Sequence, residues 1–475
     1  MVFSILGKTM LIEALLLLCP MLVGVIYAEN TYTSYLIPIA CLIAIGLPLS
    51  FLKNKDKSIY AKEGFVIVAL AWIVLSLVGA IPFVLTGVIP SYVDALFETV
   101  SGFTTTGASI LSDVEALPNS LLFWRAFTHF IGGMGILVFM LAFLPKYDSG
   151  VIHVFRAESP GPSAQKLVSK LTFTARILYG IYIAMTAVLF VFLVCGGMPI
   201  FDSVVHAFAT AGTGGFSIKN NSIAYYNSAY IEIVIAVFML LFSINFNVYY
   251  LMLIKNFKKA FKSEELRAYL IIVVVATLVI ALNILSSCVN FADALRLSFF
   301  QVSSISSTTG FSTANFDAWP SLSKAVIIVL MIIGACGGST GGGIKVSRLA
   351  ILIKSASADV RRLIHPRSVV SVKFEGQLLE KDTERNVHTY AVLWILILAL
   401  STVLLCIDVN DFMTNFTATL SCIGNVGPGL NLVGPMLNYG VYSPFSKILL
   451  SVVMLFGRLE IFPMLILFAP RTWKK

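Results

Sequence analysis

The chain has 475 residues, of which 58% are hydrophobic and only 12% are charged, roughly half the charged share of an ordinary soluble domain. A soluble fold of this length needs a charged surface that this composition cannot supply, which excludes a cytosolic globular enzyme, a disordered chain and a secreted disulfide scaffold. What remains is an all-α polytopic membrane protein, with the lipid bilayer as its first partner.

Apolar runs long enough to cross about 30 Å of hydrocarbon lie at 10–28, 35–52, 64–87, 121–144, 173–195, 229–254, 268–288, 324–352, 388–407 and 446–469, ten in all. The first, preceded by Lys8, resembles a signal peptide. It is long enough to span, and the second follows at once, so an uncleaved amino-terminal helical hairpin over residues 1–58 is expected. Basic residues set the orientation. Twenty-seven of the 33 lysines and arginines fall in the two termini and in the connections 53–62, 146–176, 255–267 and 345–385, so every second connection is basic. That pattern puts both termini in the cytoplasm and accounts for the net charge of +9 without nucleic acid as a partner. The seven cysteines contain no C-x-x-C pair and read as packing residues.

Four weaker stretches on the opposite side share one plan. Each opens with an aspartate (Asp94, Asp202, Asp293, Asp411), runs for about three or four helical turns and ends in a glycine-centred segment. The segments are Thr104-Thr105-Thr106-Gly107-Ala108-Ser109, Thr213-Gly214-Gly215-Phe216-Ser217, Thr308-Thr309-Gly310-Phe311-Ser312 and Asn425-Val426-Gly427-Pro428-Gly429. Their central glycines are 108, 95 and 117 residues apart. Each unit is therefore span, half-helix, glycine segment, span, and all four have one orientation. Units at 59–150, 151–262, 263–380 and 381–475 suit a pseudo-fourfold arrangement about a single pore.

A half-helix capped by aspartate at its outer end directs its carboxyl end, with its partial negative charge, at the centre. Non-helical backbone at that depth survives only beside water or buried in protein. Glycine permits the backbone angles that aim successive carbonyls at one axis, and four such segments form rings of oxygens able to replace an ion's hydration shell. The absence of carboxylates from the segments favours a monovalent cation over calcium, and potassium fits best.

Two further features read on their own. The run Gly334-Ala335-Cys336-Gly337-Gly338-Ser339-Thr340-Gly341-Gly342-Gly343-Ile344-Lys345 interrupts what would otherwise be one span, and glycine at this density breaks a helix. It is no phosphate loop, because Ile344 separates the last glycine from Lys345. Arg458 lies within an apolar run, where an arginine faces a pore or a partner; Glu460 is the nearest carboxylate in sequence. His129, Asn245 and Asn247 read as helix-contact residues.

The four segments, the stretch Phe155-Arg156-Ala157-Glu158-Ser159-Pro160-Gly161-Pro162, the glycine run and Gly457-Arg458 together resemble the membrane subunits of Trk-type bacterial potassium uptake systems, within the Trk/Ktr/HKT superfamily. The amino-terminal hairpin is most similar to the TrkH and TrkG branch. The resemblance implies a potassium filter formed by Thr105, Thr106 and Gly107, by Thr213, Gly214 and Gly215, by Thr308, Thr309 and Gly310, and by Asn425, Val426 and Gly427. It implies a gate made by Gly337, Gly338, Gly341, Gly342, Gly343 and Lys345 of the glycine run together with Arg458. A serine at the position of Gly107 goes with sodium permeation in this superfamily, so Gly107 favours potassium. The resemblance further implies no enzyme activity and no cofactor, potassium as substrate, the bacterial inner membrane as location, a homodimer, and a cytosolic nucleotide-binding regulator of the TrkA type. A proton- or sodium-coupled carrier is the alternative. It needs a titratable residue in the pore, for which Glu232 and Glu460 are the candidates in the later spans.

Overall fold

A computed structural model describes residues 2–52, 61–135, 171–368 and 371–473. The stretch at 155–162, the basic residues of 146–170 and the end of the expected span 121–144 lie outside the described residues. The chain opens with the helices α1 (Val2–Ile26) and α2 (Tyr32–Ser50), followed by α3 (Ala61–Gly79) and a short α4 (Ile81–Leu85). Helices α1 and α2 pack along each other. They approach so closely that a Cβ at Gly7 would stand 2.7 Å from the Gly46 carbonyl oxygen, the small-residue contact that lets helix backbones touch in lipid.

Four half-helices follow along the chain, each with a helix after it. These are α5 (Tyr92–Phe103) and α6 (Asn119–Met134); then, after the entering helix α7 (Leu171–Cys195), α8 (Ile200–Ala211), α9 (Ala229–Ser243) and its continuation α10 (Phe246–Leu253). The short α11 (Phe257–Phe261) leads to α12 (Glu264–Ile284), the half-helix α13 (Phe291–Ser306), α14 (Ser321–Ile333) and α15 (Val346–Ile364). A two-stranded turn, β1 (Lys373–Phe374) and β2 (Gln377–Leu378), precedes α16 (Lys381–Leu405), the half-helix α17 (Phe412–Gly424), α18 (Pro444–Arg458) and α19 (Phe462–Phe468). Each half-helix packs against the helix that follows the preceding half-helix, α8 on α6, α13 on α9 and α17 on α14, and α5 packs on α18, which closes the circle. The Lys447 ammonium pairs with Asp94 at 2.6 Å across that closure.

Among the described residues, six helical stretches are long and apolar enough to cross a membrane, and a seventh is α9 with α10, bent by 89°. Besides that bent pair, which covers the expected span 229–254, two more of the expected spans are not continuous helices. The run 324–352 is α14, a loop and α15, and the run 446–469 is α18 and α19 separated by Leu459, Glu460 and Ile461. On α7 and α12, Ile183, Val191, Ile271, Val274 and Leu282 are exposed, an outer surface suited to lipid and not to water. The seven cysteines are free thiols. Cys336 and Cys422 are buried as expected, whereas Cys41, Cys195 and Cys406 lie on exposed helix faces instead of packing.

The aspartates that open the half-helices differ in role from the expectation. Only Asp411 is an N-cap, accepting from the Thr414 amide at 3.1 Å. The Thr414 hydroxyl and amide hold its carboxyl below the usual carboxylate range. Asp94 and Asp293 sit three residues inside their helices, capped by Ser91 and Asn290, and Asp202 follows Pro199 in the same position. In the first turn each still faces the positive end of its helix dipole.

Candidate functional site: a four-segment ring and the loop beneath it

All four half-helices end the same way. The amides of Thr106, Gly214, Thr309 and Val426 donate to the carbonyls of Ser101, Ala209, Ser304 and Ser421 at 2.9, 2.9, 2.9 and 3.0 Å. The preceding residue in each case has left-handed φ: Thr105 +55°, Thr213 +53°, Thr308 +60° and Asn425 +53°. This is a Schellman termination, whose left-handed position ordinarily takes glycine or asparagine. Three threonines there are a strain of about 1–2 kcal/mol each, held in place by burial of all three side chains and typical of functional sites.

The central glycine of each segment, two residues on, is left-handed again, with φ of +80° at Gly107, +78° at Gly215, +88° at Gly310 and +102° at Gly427. A Cβ at Gly107 would stand 2.0 Å from the Gly214 carbonyl oxygen, at Gly215 1.9 Å from that of Thr309, at Gly310 2.2 Å from that of Val426, and at Gly427 2.7 Å from that of Thr106. The contacts run from segment to segment and return to the first. The predicted filter residues are thus brought together in one closed ring whose equivalent carbonyls abut glycine. The Gly427 carbonyl accepts from Ser421 Oγ at 2.6 Å and from Tyr439 OH at 2.7 Å.

The ring is fourfold in backbone and twofold in chemistry. Hydroxyl pairs Thr104–Thr106 (2.8 Å) and Ser307–Thr309 (2.7 Å) stand behind opposite segments; the corresponding residues of the other two are Gly212 with Gly214 and Gly424 with Val426. His129 packs behind the second segment: its Nδ1 donates to the Gly102 carbonyl at 2.8 Å and its Nε2 accepts from the Phe216 amide at 3.3 Å.

Sequence reasoning missed the brace outside the ring. Glu98 of α5, fully buried, accepts from Arg125 Nε at 2.8 Å, Ser109 Oγ at 3.0 Å and the Ile110 amide at 3.0 Å. Arg125 also donates to the Ser217 carbonyl at 3.2 Å and lies over the Phe216 ring. The pair therefore ties the exits of the first and second segments together. Its signal was two charges within stretches otherwise buried. Removing one member leaves the other charge uncompensated, so Glu98→Ala should cost about 3–5 kcal/mol. Melting in detergent would register this as a large fall in Tm, partly recovered by the double variant Glu98→Leu/Arg125→Met.

A cavity of about 210 Å³, lined by Gly107, Gly215, Gly310, Gly427, Ser109 and Asn220 among others, opens on one side of the ring. On the other side a cavity of about 90 Å³ is lined by Trp72, Gly135, Asn425, Gly338, Gly341, Gly342, Gly343, Lys345 and Arg458. The loop between α14 and α15 closes directly on the third and fourth segments. The Gly342 amide donates to Thr308 Oγ1 at 2.6 Å. A Cβ at Gly341 would stand 2.7 Å from the Ser307 carbonyl oxygen, and one at Gly342 2.2 Å from that of Gly424. Only glycine permits this approach. Lys345, at φ +82°, turns its buried ammonium back onto the Gly341 carbonyl. Gly337 and Gly338 lie at the far end of the loop, where the Phe246 amide donates to the Gly338 carbonyl at 3.1 Å.

Arg458 reaches this loop from α18. It donates to the carbonyls of Thr340 at 2.7 Å and Gly133 at 2.7 Å, and also to that of Gly132. Glu460 instead pairs with Arg348, which stacks on Tyr390 at 4.1 Å. The geometry gathers two cationic side chains, Arg458 and Lys345, the glycine loop and the end of α6 around the small cavity.

Comparison with known proteins decides the family. The TrkH family model, described as a cation transport protein, matches residues 33–475. The chain belongs to the TrkH family. Its members are transport proteins and not enzymes. The chain is 34% identical to the Trk system potassium uptake protein TrkH of Salmonella typhimurium, over 99% of this chain and 98% of that one. It is 32% identical to the TrkG protein of Escherichia coli K12, over 98% and 97%. The crystal structure of the potassium transporter TrkH from Vibrio parahaemolyticus matches the fold with a TM-score of 0.90 at 32% identity, covering 100% of this chain and 99% of that one. A multi-pass helical membrane fold of the TrkH family is therefore the frame in which the ring and the loop sit.

Proposed function

We propose that the chain takes up potassium through the ring of four segments, with the loop at 334–345 and Arg458 as its gate. The observation that carries the reading is the ring itself: four buried segments of one backbone conformation, each central glycine against a neighbour's carbonyl. Carbonyls of Thr105, Thr106, Thr213, Gly214, Thr308, Thr309, Asn425 and Val426 replace the ion's water, and Gly107, Gly215, Gly310 and Gly427 make the room for them. The negative ends of four half-helices add to the attraction for a cation. The relatives' names as potassium uptake proteins point to the same ion.

In this reading the chain makes ten spans: the hairpin at 1–58 and four parallel units at 59–150, 151–262, 263–380 and 381–475, the broken helices counting as spans that line the pore. Both termini lie in the cytoplasm, and the 210 Å³ cavity is the outer mouth. A second copy of the chain and a nucleotide-binding regulator of the TrkA type complete the system in the bacterial inner membrane. A coupled carrier would need a titrating carboxylate in the pathway. Glu460 is held by Arg348, and Glu232 lies 3.5 Å from Arg296, which favours the channel-like mechanism. Rubidium uptake into liposomes containing the purified protein tests the proposal. Excess potassium should suppress uptake and equal sodium should leave it; suppression by both alike would remove the selective ring from the account.

A further inference from the structure

We infer that Glu265 is the latch of the glycine loop, a positioning residue that holds the loop shut from the side of the basic connections; the inference rests on the gating reading above. Glu265 is the second residue of α12 and is only 3% exposed. Its Oε1 accepts from the Gly337 amide at 2.6 Å and from the Ser347 amide at 3.1 Å, and its Oε2 faces Asn245 Nδ2 at 3.5 Å. Gly337 is near the start of the loop, Ser347 is in the first turn of the helix that leaves it, and Asn245 is at the bend between α9 and α10. One carboxylate thus pins both ends of the loop to each other and to the broken helix of the second unit.

The chemistry makes this a two-position device. A buried carboxylate is tolerable only where fixed donors meet it, and here two are backbone amides, one of them at the positive end of α15. Moving the loop away from the ring withdraws those donors, so the closed arrangement is favoured until something else satisfies or displaces the carboxylate. The latch is itself held from the basic connection. Glu375, at the tip of the β1–β2 turn, accepts from the Glu265 amide at 3.1 Å and from Ser263 Oγ at 2.8 Å. Lys354 of α15 donates to the Lys373 carbonyl at 3.0 Å and pairs with Glu264. Displacement of this turn is transmitted to α12 and, through Glu265, to the loop.

The test uses the full chain in liposomes, with rubidium uptake and labelling by a water-soluble maleimide read together. Cys336 lies within the loop and is buried; Cys422 is buried in α17 and reports on folding. Glu265→Ala should raise uptake several-fold and speed labelling of Cys336 while Cys422 stays protected and the preference for potassium over sodium is unchanged. Glu265→Gln, whose amide oxygen still accepts, should fall between Ala and wild type. If Glu265→Ala keeps wild-type uptake and Cys336 protection while Arg458→Ala raises uptake, the latch is overturned and the gate stands. If Arg458→Ala is also without effect, or Cys336 is freed with no change in uptake, the gate falls and the latch with it. Should Glu265→Ala also expose Cys422, Glu265→Gln decides: raised uptake supports the latch, unchanged uptake overturns it.

Discussion

Gly107→Ser is expected to lose most of the discrimination between potassium and sodium. Two causes act together. Serine at φ +80° is strained by about 1–2 kcal/mol. The greater effect is steric, because the new Cβ would stand 2.0 Å from the Gly214 carbonyl oxygen and 3.1 Å from its carbon. Neither is the end of a flexible side chain, so the second segment must move away and the oxygens no longer fit a dehydrated ion. Gly87→Ser is the matched control. Its φ of +75° imposes similar strain, yet nothing lies within 4 Å of its Cβ position. Rubidium uptake with sodium as competitor should separate the two. Equal sodium inhibition in Gly107→Ser and Gly87→Ser would mean that the ring does not select.

Arg458→Ala should raise uptake in the absence of any regulator. The side chain does two things that one further variant separates. It tethers the loop to α6 through the carbonyls of Thr340, Gly132 and Gly133, and it places a permanent positive charge beside the 90 Å³ cavity. A unit charge about 6 Å from a passing cation, at an effective dielectric of about 20, opposes it by about 3 kcal/mol, roughly a hundredfold in occupancy. Arg458→Lys keeps the charge and loses the planar fork that holds three carbonyls. If the charge is the barrier, Lys stays closed and Ala opens; if the tether is, both open. Flux equal to wild type in both variants, with the fold intact, would remove Arg458 from the gate.

What could be read from residues alone follows local rules. The glycine segments were visible because their chemistry repeats, and the run at 334–343 because glycine breaks helices wherever it clusters. The bend between α9 and α10 left no such mark. Between α9 and α10 the chain reads Ser243-Ile244-Asn245-Phe246, without glycine or proline. It bends because Asn245 caps the next helix and the Phe246 amide goes to the Gly338 carbonyl. Glu460 and Ile461, at φ +54° and +69°, are held in a region a β-branched residue avoids, where Glu460 meets Arg348 across 112 residues. The brace of Glu98 and Arg125 was hidden in the same manner. Both charges are plain in the sequence; their pairing and the serines they hold depend on how the first two units face each other.

The closing joint of the ring has a consequence for how the protein is made. Asn425 Nδ2 donates to Thr106 Oγ1 at 2.9 Å, joining residues 319 positions apart, and the carbonyl that meets Gly427 is that of Thr106. Contacts so distant in the chain are slow to form, since a long loop must be closed before they return any free energy. The first segment, with its strained threonine and buried carboxylate, is therefore complete in sequence long before it has a fourth side to lean on. A ribosome must deliver the last unit to the membrane before the first can settle. Chains interrupted ahead of Asn425 should remain leak-free and protease-sensitive, because no partial ring encloses a path for an ion.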